Sequence, residues 1–168
     1  MSVVGDRFRE HDLFLPDVLL AARAMYAGMD LLKPLLIREG VPSIGRVVIG
    51  SVRGDLHDIG TNLVGIMLKG AGFDVIDLGH DVSPERMVTT AVEREASVIG
   101  MSALLTTTMP VMRDVVERVR REGLDGRIRT IGGGAPVTAA FAREIGADAY
   151  GFDAANAVEV VKDLVGRP

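Results

Sequence analysis

Three clusters of residues in this sequence combine types and spacing that could do chemistry, and the first is GDLHDIG at 54–60. It places Asp55 two residues before His57 and Gly60 three residues after it. A carboxylate this close can accept one imidazole N–H, which fixes the tautomer and raises the basicity of the ring as a metal ligand. A buried structural histidine is the alternative. Because one histidine cannot hold a bare zinc ion, the pattern favours a metal that arrives with most ligands supplied, as in a macrocycle.

The other two clusters are rich in hydroxyl groups and in glycine. SALLTTT at 102–108 supplies four hydroxyls, and GGG at 132–134 lets a ligand approach the main chain, although an ordinary strand-to-helix turn uses glycine as well. The sequence lacks GxGxxG after its first predicted strand and lacks GxxxxGK[ST] throughout, so neither nucleotide-binding motif is present. His11 and His80 lie outside the clusters, and we expect them to be solvated or of secondary importance.

The elements that must position these clusters alternate between strand and helix. Short β-branched runs predict strands at 46–50, 73–79, 96–102, 127–133 and 147–151. Helical patterns follow at 59–71, 84–95, 109–122, 137–145 and 154–165. Apolar strand centres indicate burial on both faces, and right-handed crossovers then give a five-stranded parallel, flavodoxin-like (Rossmann-like) α/β sheet. Ligands bind beyond the carboxyl ends of such strands, where all three clusters lie.

The N-terminal part has a different pattern. Residues 13–38 have helical periodicity with a largely apolar face, after a shorter helical piece. Pro34 is expected to end or kink this helix near Lys33. Two such helices cannot bury their own apolar face, so they need a partner. We therefore divide the chain into a helical segment at 1–40 and an α/β domain at 41–168.

Composition excludes several classes of protein. A net charge of −4 without a basic stripe disfavours nucleic-acid binding. The absence of cysteine excludes disulfides, thiolate metal sites and a cysteine nucleophile. Aromatic residues make up 4% of the chain, which disfavours flavin, and no acidic pair follows the first strand, which disfavours a receiver domain. With no signal peptide and no apolar run of about 18 residues, we expect a cytoplasmic protein with no membrane partner.

The motifs, in this order, resemble the cobalamin-binding domain of corrinoid methyltransferase proteins, a family that includes cobalamin-dependent methionine synthase. The resemblance covers nearly the whole chain and rests on these residues: Asp55, His57, Gly60, Ser102, Leu104, Thr106, Thr108, Gly132 and Gly133. In addition, VVGDRFREHDLFLPDVLLAARAM at 3–25 resembles the second half of the helical cap that precedes this domain in methyltransferases. Cobalamin mutases share the domain without that cap.

The resemblance implies a chain of polar groups beneath the metal. His57 would coordinate cobalt from the lower face in place of the benzimidazole base of the cofactor. Asp55 would bind the other imidazole nitrogen. Thr108, which stands where the family usually has serine, would extend this relay towards solvent. These three residues are the predicted catalytic set, and His57 is the predicted metal ligand.

The resemblance also implies contacts with the rest of the cofactor. Ser102 and Thr106 would contact the buried nucleotide tail, while Gly60, Gly132 and Gly133 would leave room for it. Tyr150 is expected in the same channel, and Phe8 and Leu15 are expected over the upper face of the corrin, where they would shield a cobalt-bound methyl group. The remaining predicted contacts are Gly54, Leu56, Asp58, Ile59 and Leu104.

The implied function is that of a corrinoid protein that carries a methyl group, with cobalt cycling between methyl-Co(III) and Co(I). It is a component of a methyltransferase system rather than a complete enzyme. The expected partners are a substrate-specific methyltransferase, a methyl-acceptor methyltransferase and a reductive activase. Only about two helices of the four-helix cap precede residue 40, so either its first half is absent or a second copy supplies it. The exposed apolar face on residues 15–38 favours a homodimer through helix pairing. The alternatives are a cobalamin-binding sensor or regulatory module, and a mutase-type subunit.

Overall fold

A five-stranded parallel sheet forms the centre of the computed structural model, which describes residues 2–38 and 43–166. The strands are β1 (Arg46–Ser51), β2 (Asp74–Asp77), β3 (Val98–Ser102), β4 (Arg129–Gly133) and β5 (Ala149–Gly151). Their order is β2-β1-β3-β4-β5, and every neighbouring pair is parallel. This is the flavodoxin-like strand order, which confirms the predicted fold.

Helices connect the strands and precede them. They are α1 (Ser2–Arg9), α2 (Leu15–Arg38), α3 (Ile59–Gly70), α4 (Pro84–Glu93), α5 (Pro110–Arg121), α6 (Ala139–Ile145) and α7 (Ala154–Gly166). The ends of the predicted α/β elements differ from these by two residues or fewer. Local capping explains several ends: the Ser83 hydroxyl accepts a hydrogen bond from the Arg86 N–H at the start of α4, and Gly146 ends α6 in the left-handed region.

The sheet is buried on both faces, as the apolar strands predict. In β1, Val47 and Ile49 belong to a cluster with α3 and α7, whereas Val48 belongs to the cluster with α4 and α5 on the other face. This alternation is the two-residue period of a strand. Because each face is covered by helices, both sets of positions are apolar.

The two N-terminal helices pack on the face that carries α3 and α7. Gly5 of α1 is buried, and a Cβ atom there would collide with the Cε atom of Met67 in α3. Arg9 pairs with Asp153 and Glu159 at 3.9 and 3.6 Å. No helix within residues 2–38 and 43–166 has both the length and the apolar character that a membrane span requires.

Helix α2 differs from its prediction at one end. It continues through Pro34 to Arg38, so a helix end near Lys33 is wrong, and the kink that was expected there as the alternative stays a prediction. Proline removes one main-chain N–H and thereby one helical hydrogen bond, and this loss does not prevent further turns. Large apolar side chains on α2 remain exposed in the single chain, among them Leu20 and Leu31.

Candidate functional site

The site lies where the loops after β1 and β3 meet. These strands are neighbours, and Ser51 at the end of β1 is in register with Ser102 at the end of β3. The helix that follows β1 packs on one face of the sheet, and the helix that follows β3 packs on the other. In open α/β sheets this reversal leaves a crevice at the carboxyl edge, which is the usual ligand site.

A buried carboxylate joins the two loops. Asp55 is fully buried, and its Oδ1 atom accepts hydrogen bonds from the main-chain N–H of His57 at 3.1 Å and from Nδ1 of the same residue at 2.8 Å. Its Oδ2 atom accepts from the N–H groups of Leu104 and Leu105 at 2.7 and 3.2 Å, and from the Thr108 hydroxyl at 2.8 Å. The predicted Asp55–His57–Thr108 group is therefore brought together in space.

These contacts determine the protonation state of the pair. Burial by itself raises the pKa of Asp55, but the hydrogen bonds from Leu104, Thr108 and His57 together outweigh burial and hold that pKa well below its usual range. An ionised carboxylate only accepts hydrogen bonds, so Nδ1 of His57 carries the ring hydrogen. In the neutral imidazole, Nε2 then has a free lone pair, which is the form that binds a metal.

The lowered pKa of Asp55 predicts how stability changes with pH. The unfolded chain takes up this proton near pH 4, whereas the folded chain does so only at much lower pH. The carboxylate therefore contributes its full stability above pH 4 and loses it as the pH falls. Below pH 4 the free energy of unfolding should drop with an extra slope approaching about 1.4 kcal/mol per pH unit. Urea unfolding of the cofactor-free protein between pH 7 and pH 3 measures this slope, and Asp55→Asn should remove it; equal slopes would contradict the assignment.

His57 has four polar groups, and three of them make hydrogen bonds to other residues that the structure describes. Its N–H and Nδ1 bind Asp55, and its carbonyl oxygen accepts a hydrogen bond from the Ser51 hydroxyl at 2.6 Å. The side chain is 52% exposed. The remaining ring nitrogen, Nε2, is thus the one available to a ligand outside the sheet edge.

Exposed apolar side chains lie in the two loops that hold this histidine. Leu56 and Ile59 in its own loop are each 67% exposed, and Leu104 and Leu105, whose N–H groups bind Asp55, are exposed as well. Exposed apolar groups clustered at a sheet edge indicate a binding surface for a large, partly apolar ligand. Gly54 and Asp58 belong to the same loop as Leu56.

A cavity of about 230 Å³ runs from this edge between the sheet and the pair α3 and α7. The predicted residues Gly60, Ser102, Gly132 and Gly133 line it. At Gly60, which is exposed, a Cβ atom would have no heavy atom within 4 Å. The missing side chain therefore leaves open space beside the cavity.

The structure separates other predicted residues from this cavity. Tyr150 packs against the cluster on the opposite face, so the expectation that it lines the channel is wrong; alternate residues of a strand face opposite sides, and its neighbour Gly151 is the one that lines the cavity. Thr106 is exposed and does not line the cavity. Phe8 and Leu15 pack, partly buried, against the cluster with α3 and α7, and their place over a cofactor stays a prediction.

Two groups of supporting residues were missed by the sequence analysis. The first is the buried pair Ser51 and Thr61 behind His57. The second is Asp81 in the loop after β2, whose Oδ1 accepts from the Gly54 N–H at 2.7 Å and whose own N–H donates to the Asp55 carbonyl at 3.0 Å. Asp81 has a φ of 54°, and aspartate is one of the few residues that tolerate this region. An Asp directly after the predicted second strand was the available signal.

Protein side chains do not form a metal site by themselves. Within the part of the chain that the structure describes, no group of three or more His, Cys, Asp or Glu residues could hold a metal ion. A metal whose other ligands come from a macrocycle would need only Nε2 of His57 from these residues.

Comparisons with known proteins agree with this geometry. Residues 45–161 match a family model described as a B12 binding domain, and residues 1–33 match a second model with the same description. A dimethylamine corrinoid protein from Methanosarcina mazei is 46% identical over 166 residues, which cover 98% of this chain and 99% of that protein.

Two solved structures are similar in fold and sequence. The crystal structure of a cobalamin-binding protein from Desulfitobacterium hafniense has a TM-score of 0.82 and 34% identity, and the match covers 96% of this chain and 76% of that one. The methanol:cobalamin methyltransferase complex from Methanosarcina barkeri has a TM-score of 0.87 and 30% identity, with 99% of this chain and 63% of that chain covered.

Proposed function

The chain belongs to the family of corrinoid proteins with a B12 binding domain, and from this premise we propose that it carries a methyl group between methyltransferases on its bound corrinoid. The cofactor is a cobalamin or a related corrinoid. The observation that carries the proposal is the Asp55–His57 pair, which presents one free imidazole nitrogen in the loop that leads into Gly60 and Thr61 in the cavity wall.

The residues at the sheet edge fit such a cofactor. A corrin brings four nitrogen ligands for its cobalt, so a single histidine is the protein ligand it needs. We propose that Nε2 of His57 would hold the cobalt and that Leu56, Ile59, Leu104 and Leu105 would contact the corrin. The cavity beside Gly60 is suited to the nucleotide tail, with Ser102 as a polar contact and Gly132 and Gly133 in its wall.

When bound, the corrinoid supplies a cobalt ion that accepts a methyl group and, in its reduced state, donates electrons as a strong nucleophile. The residues of this chain control the hydrogen bonding of the histidine ligand. Asp55 holds the Nδ1 proton of His57 and so keeps Nε2 basic. The Thr108 hydroxyl lies 2.8 Å from Asp55 Oδ2 and 2.9 Å from the Leu105 carbonyl, and its single hydrogen can serve either acceptor. We propose that the orientation of this hydroxyl tunes how strongly Asp55 accepts the hydrogen bond from Nδ1 of His57.

The cavity predicts a substitution that weakens the binding of the nucleotide tail and leaves the binding of the corrin ring unchanged. Gly60→Val places a side chain in the open space where the tail is proposed to enter. We expect cobalamin to bind about ten to a hundred times more weakly, from a steric cost of about 1–3 kcal/mol. Cobinamide, which lacks the nucleotide tail, should bind as it does to the wild type. Spectroscopic titration with both corrinoids measures this.

The matched control is Gly28→Val, because Gly28 in α2 also has open surroundings. It should leave both affinities unchanged. Equal losses for cobalamin and cobinamide in Gly60→Val would place the tail elsewhere.

We propose a methylamine methyltransferase as the first partner to test, because the 46% identical relative is a dimethylamine corrinoid protein. The protein is loaded with isotopically labelled methylcobalamin and mixed with a methyl-acceptor methyltransferase and its thiol. A carrier should lose its labelled methyl group to the thiol, and it should take a new methyl group from a methylamine when the donor enzyme is present. Label that stays on the protein with both enzymes would favour the sensor alternative. A reductive activase is proposed as a third partner that restores oxidised protein.

The exposed apolar side chains of α2 support a further part of the proposal, a homodimer through the N-terminal helices. Leu20 and Leu31 are both exposed in the single chain, and helices of this kind bury such faces against other helices. Size-exclusion chromatography with light scattering should give twice the mass of one chain. Leu20→Glu with Leu31→Glu should then give a monomer, whereas a monomeric wild type would end this part of the proposal.

A further inference from the structure

Two buried hydroxyl groups lie directly behind the histidine, and neither belongs to the Asp55 network. Ser51 at the end of β1 is fully buried, and Thr61 in the first turn of α3 is 4% exposed. The Ser51 Oγ atom lies 2.6 Å from the His57 carbonyl oxygen and 2.9 Å from Thr61 Oγ1. Buried hydroxyls at these distances are ordered hydrogen-bonding groups.

The direction of these hydrogen bonds follows from the number of hydrogens. A carbonyl oxygen can only accept, so the single hydrogen of the Ser51 hydroxyl points at His57. Ser51 then has only lone pairs for its neighbour, and Thr61 must donate to it. The result is a one-way chain from Thr61 to Ser51 to the main chain of His57, with both hydroxyls satisfied.

We propose that Ser51 and Thr61 are positioning residues for the metal ligand: they hold the carbonyl of His57 while Asp55 holds its N–H and its ring. The inference rests on the proposed role of His57 in binding the corrinoid. The two hydrogen bonds to Asp55 Oδ1 fix the N–H and the Nδ1 atom of His57, and neither of them holds its carbonyl. The Ser51 hydroxyl holds that carbonyl, so the main chain of His57 is tied at both polar groups and the direction of Nε2 is fixed with it.

The anchor has a direct energetic reason. A neutral buried hydrogen bond contributes about 0.5–1.5 kcal/mol, and the loss of one leaves the partner carbonyl unsatisfied. Removal of the Ser51 hydroxyl leaves the His57 carbonyl without its donor. The equilibrium between the held and the released loop should therefore shift about fivefold. Thr61 lines the cavity as well, so its substitution affects two features, whereas Ser51 does not line it. Ser51→Ala is therefore the decisive variant.

The first test needs no cofactor. In the apo-protein, hydrogen exchange of the His57 amide should be about five times faster in Ser51→Ala than in the wild type, with amides of β4 as the reference for global unfolding. Ser51→Thr should restore slow exchange because it keeps the hydroxyl. The matched control is Ser97→Ala, since the Ser97 hydroxyl also donates to a main-chain carbonyl, that of Arg46, at the other end of the sheet. It should leave the His57 amide unchanged.

The second test uses cobalamin. The ratio of histidine-ligated to unligated cobalamin, read from the visible spectrum, should fall about fivefold in Ser51→Ala and recover in Ser51→Thr. A wild type that fails to ligate cobalamin through His57 would overturn the proposed function and this inference with it. A wild type that does so, with unchanged exchange and ratio in Ser51→Ala, would overturn the positioning role alone.

Discussion

Cobalamin bound to His57→Gly protein should show no histidine ligation, while the apo-protein keeps its fold. Nε2 of His57 is the single free polar atom of that residue, and its side chain is half exposed, so its loss removes the ligand without opening the core. In the Co(II) state the unpaired electron couples to the axial nitrogen. Protein labelled with ¹⁵N-histidine should therefore give doublet splitting in the wild type by electron paramagnetic resonance, and His57→Gly should lose it completely.

Two controls make this result specific. His80→Gly removes another exposed histidine at the same edge of the sheet and should keep the doublet. Added ¹⁵N-imidazole should restore it in His57→Gly, because the glycine leaves room for the free ring above Asp55. A triplet in the labelled wild type would mean that the unlabelled base of the cofactor remains the ligand, and the proposed site would be wrong.

The fold was predictable because its signals are local. The alternation of β-branched runs with amphipathic stretches depends on periods of two and 3.6 residues, which need no knowledge of distant contacts. The rule that ligands bind at the carboxyl ends of strands then brought the loops after β1 and β3 together. The Asp55–His57 contact was predictable for the same reason, since its members are two positions apart in the chain.

The wrong predictions concern features that the hydrophobic period of a strand or a helix does not determine. Tyr150 and Gly151 are adjacent, and a choice between them is a choice between opposite faces of the sheet. β5 has only three residues, which are too few to show from the sequence which of them face each side of the sheet. The prediction that the helix ends at Pro34 was wrong because a proline removes only one helical hydrogen bond, and α2 continues to Arg38.

The support of the site was missed because it is not local. Asp81 reaches Gly54 across 27 residues of the chain, and the Leu104 N–H reaches Asp55 across 49. The equally distant Thr108 was expected beside Asp55 from the family resemblance and not from any local pattern. Ser51 looked like an ordinary strand residue, since nothing in RVVIGS distinguishes a hydroxyl that holds a carbonyl from one that faces solvent. Such roles need the three-dimensional arrangement.

Asp55→Ala should lower the free energy of unfolding of the apo-protein by about 3–5 kcal/mol, a large part of the 5–15 kcal/mol that a domain typically has. The substitution strips five hydrogen bonds from a fully buried position and leaves the N–H groups of Leu104 and Leu105 without their acceptor, whereas the Thr108 hydroxyl keeps the Leu105 carbonyl. Urea unfolding at pH 7 followed by circular dichroism measures the loss. Thr108→Val, which removes one of the five, should cost about 1 kcal/mol.

The matched control for this loss is Asp58→Ala, because Asp58 precedes α3 and makes no side-chain capping hydrogen bond. It should change stability by less than about 0.5 kcal/mol. If Asp55→Ala were as mild as Asp58→Ala, the carboxylate would not join the two loops, and the two sides of the crevice would be independent. A large loss in the absence of any cofactor would instead mean that the carboxylate joins the loops after β1 and β3 in the apo-protein, so that a corrinoid meets a crevice that is already formed.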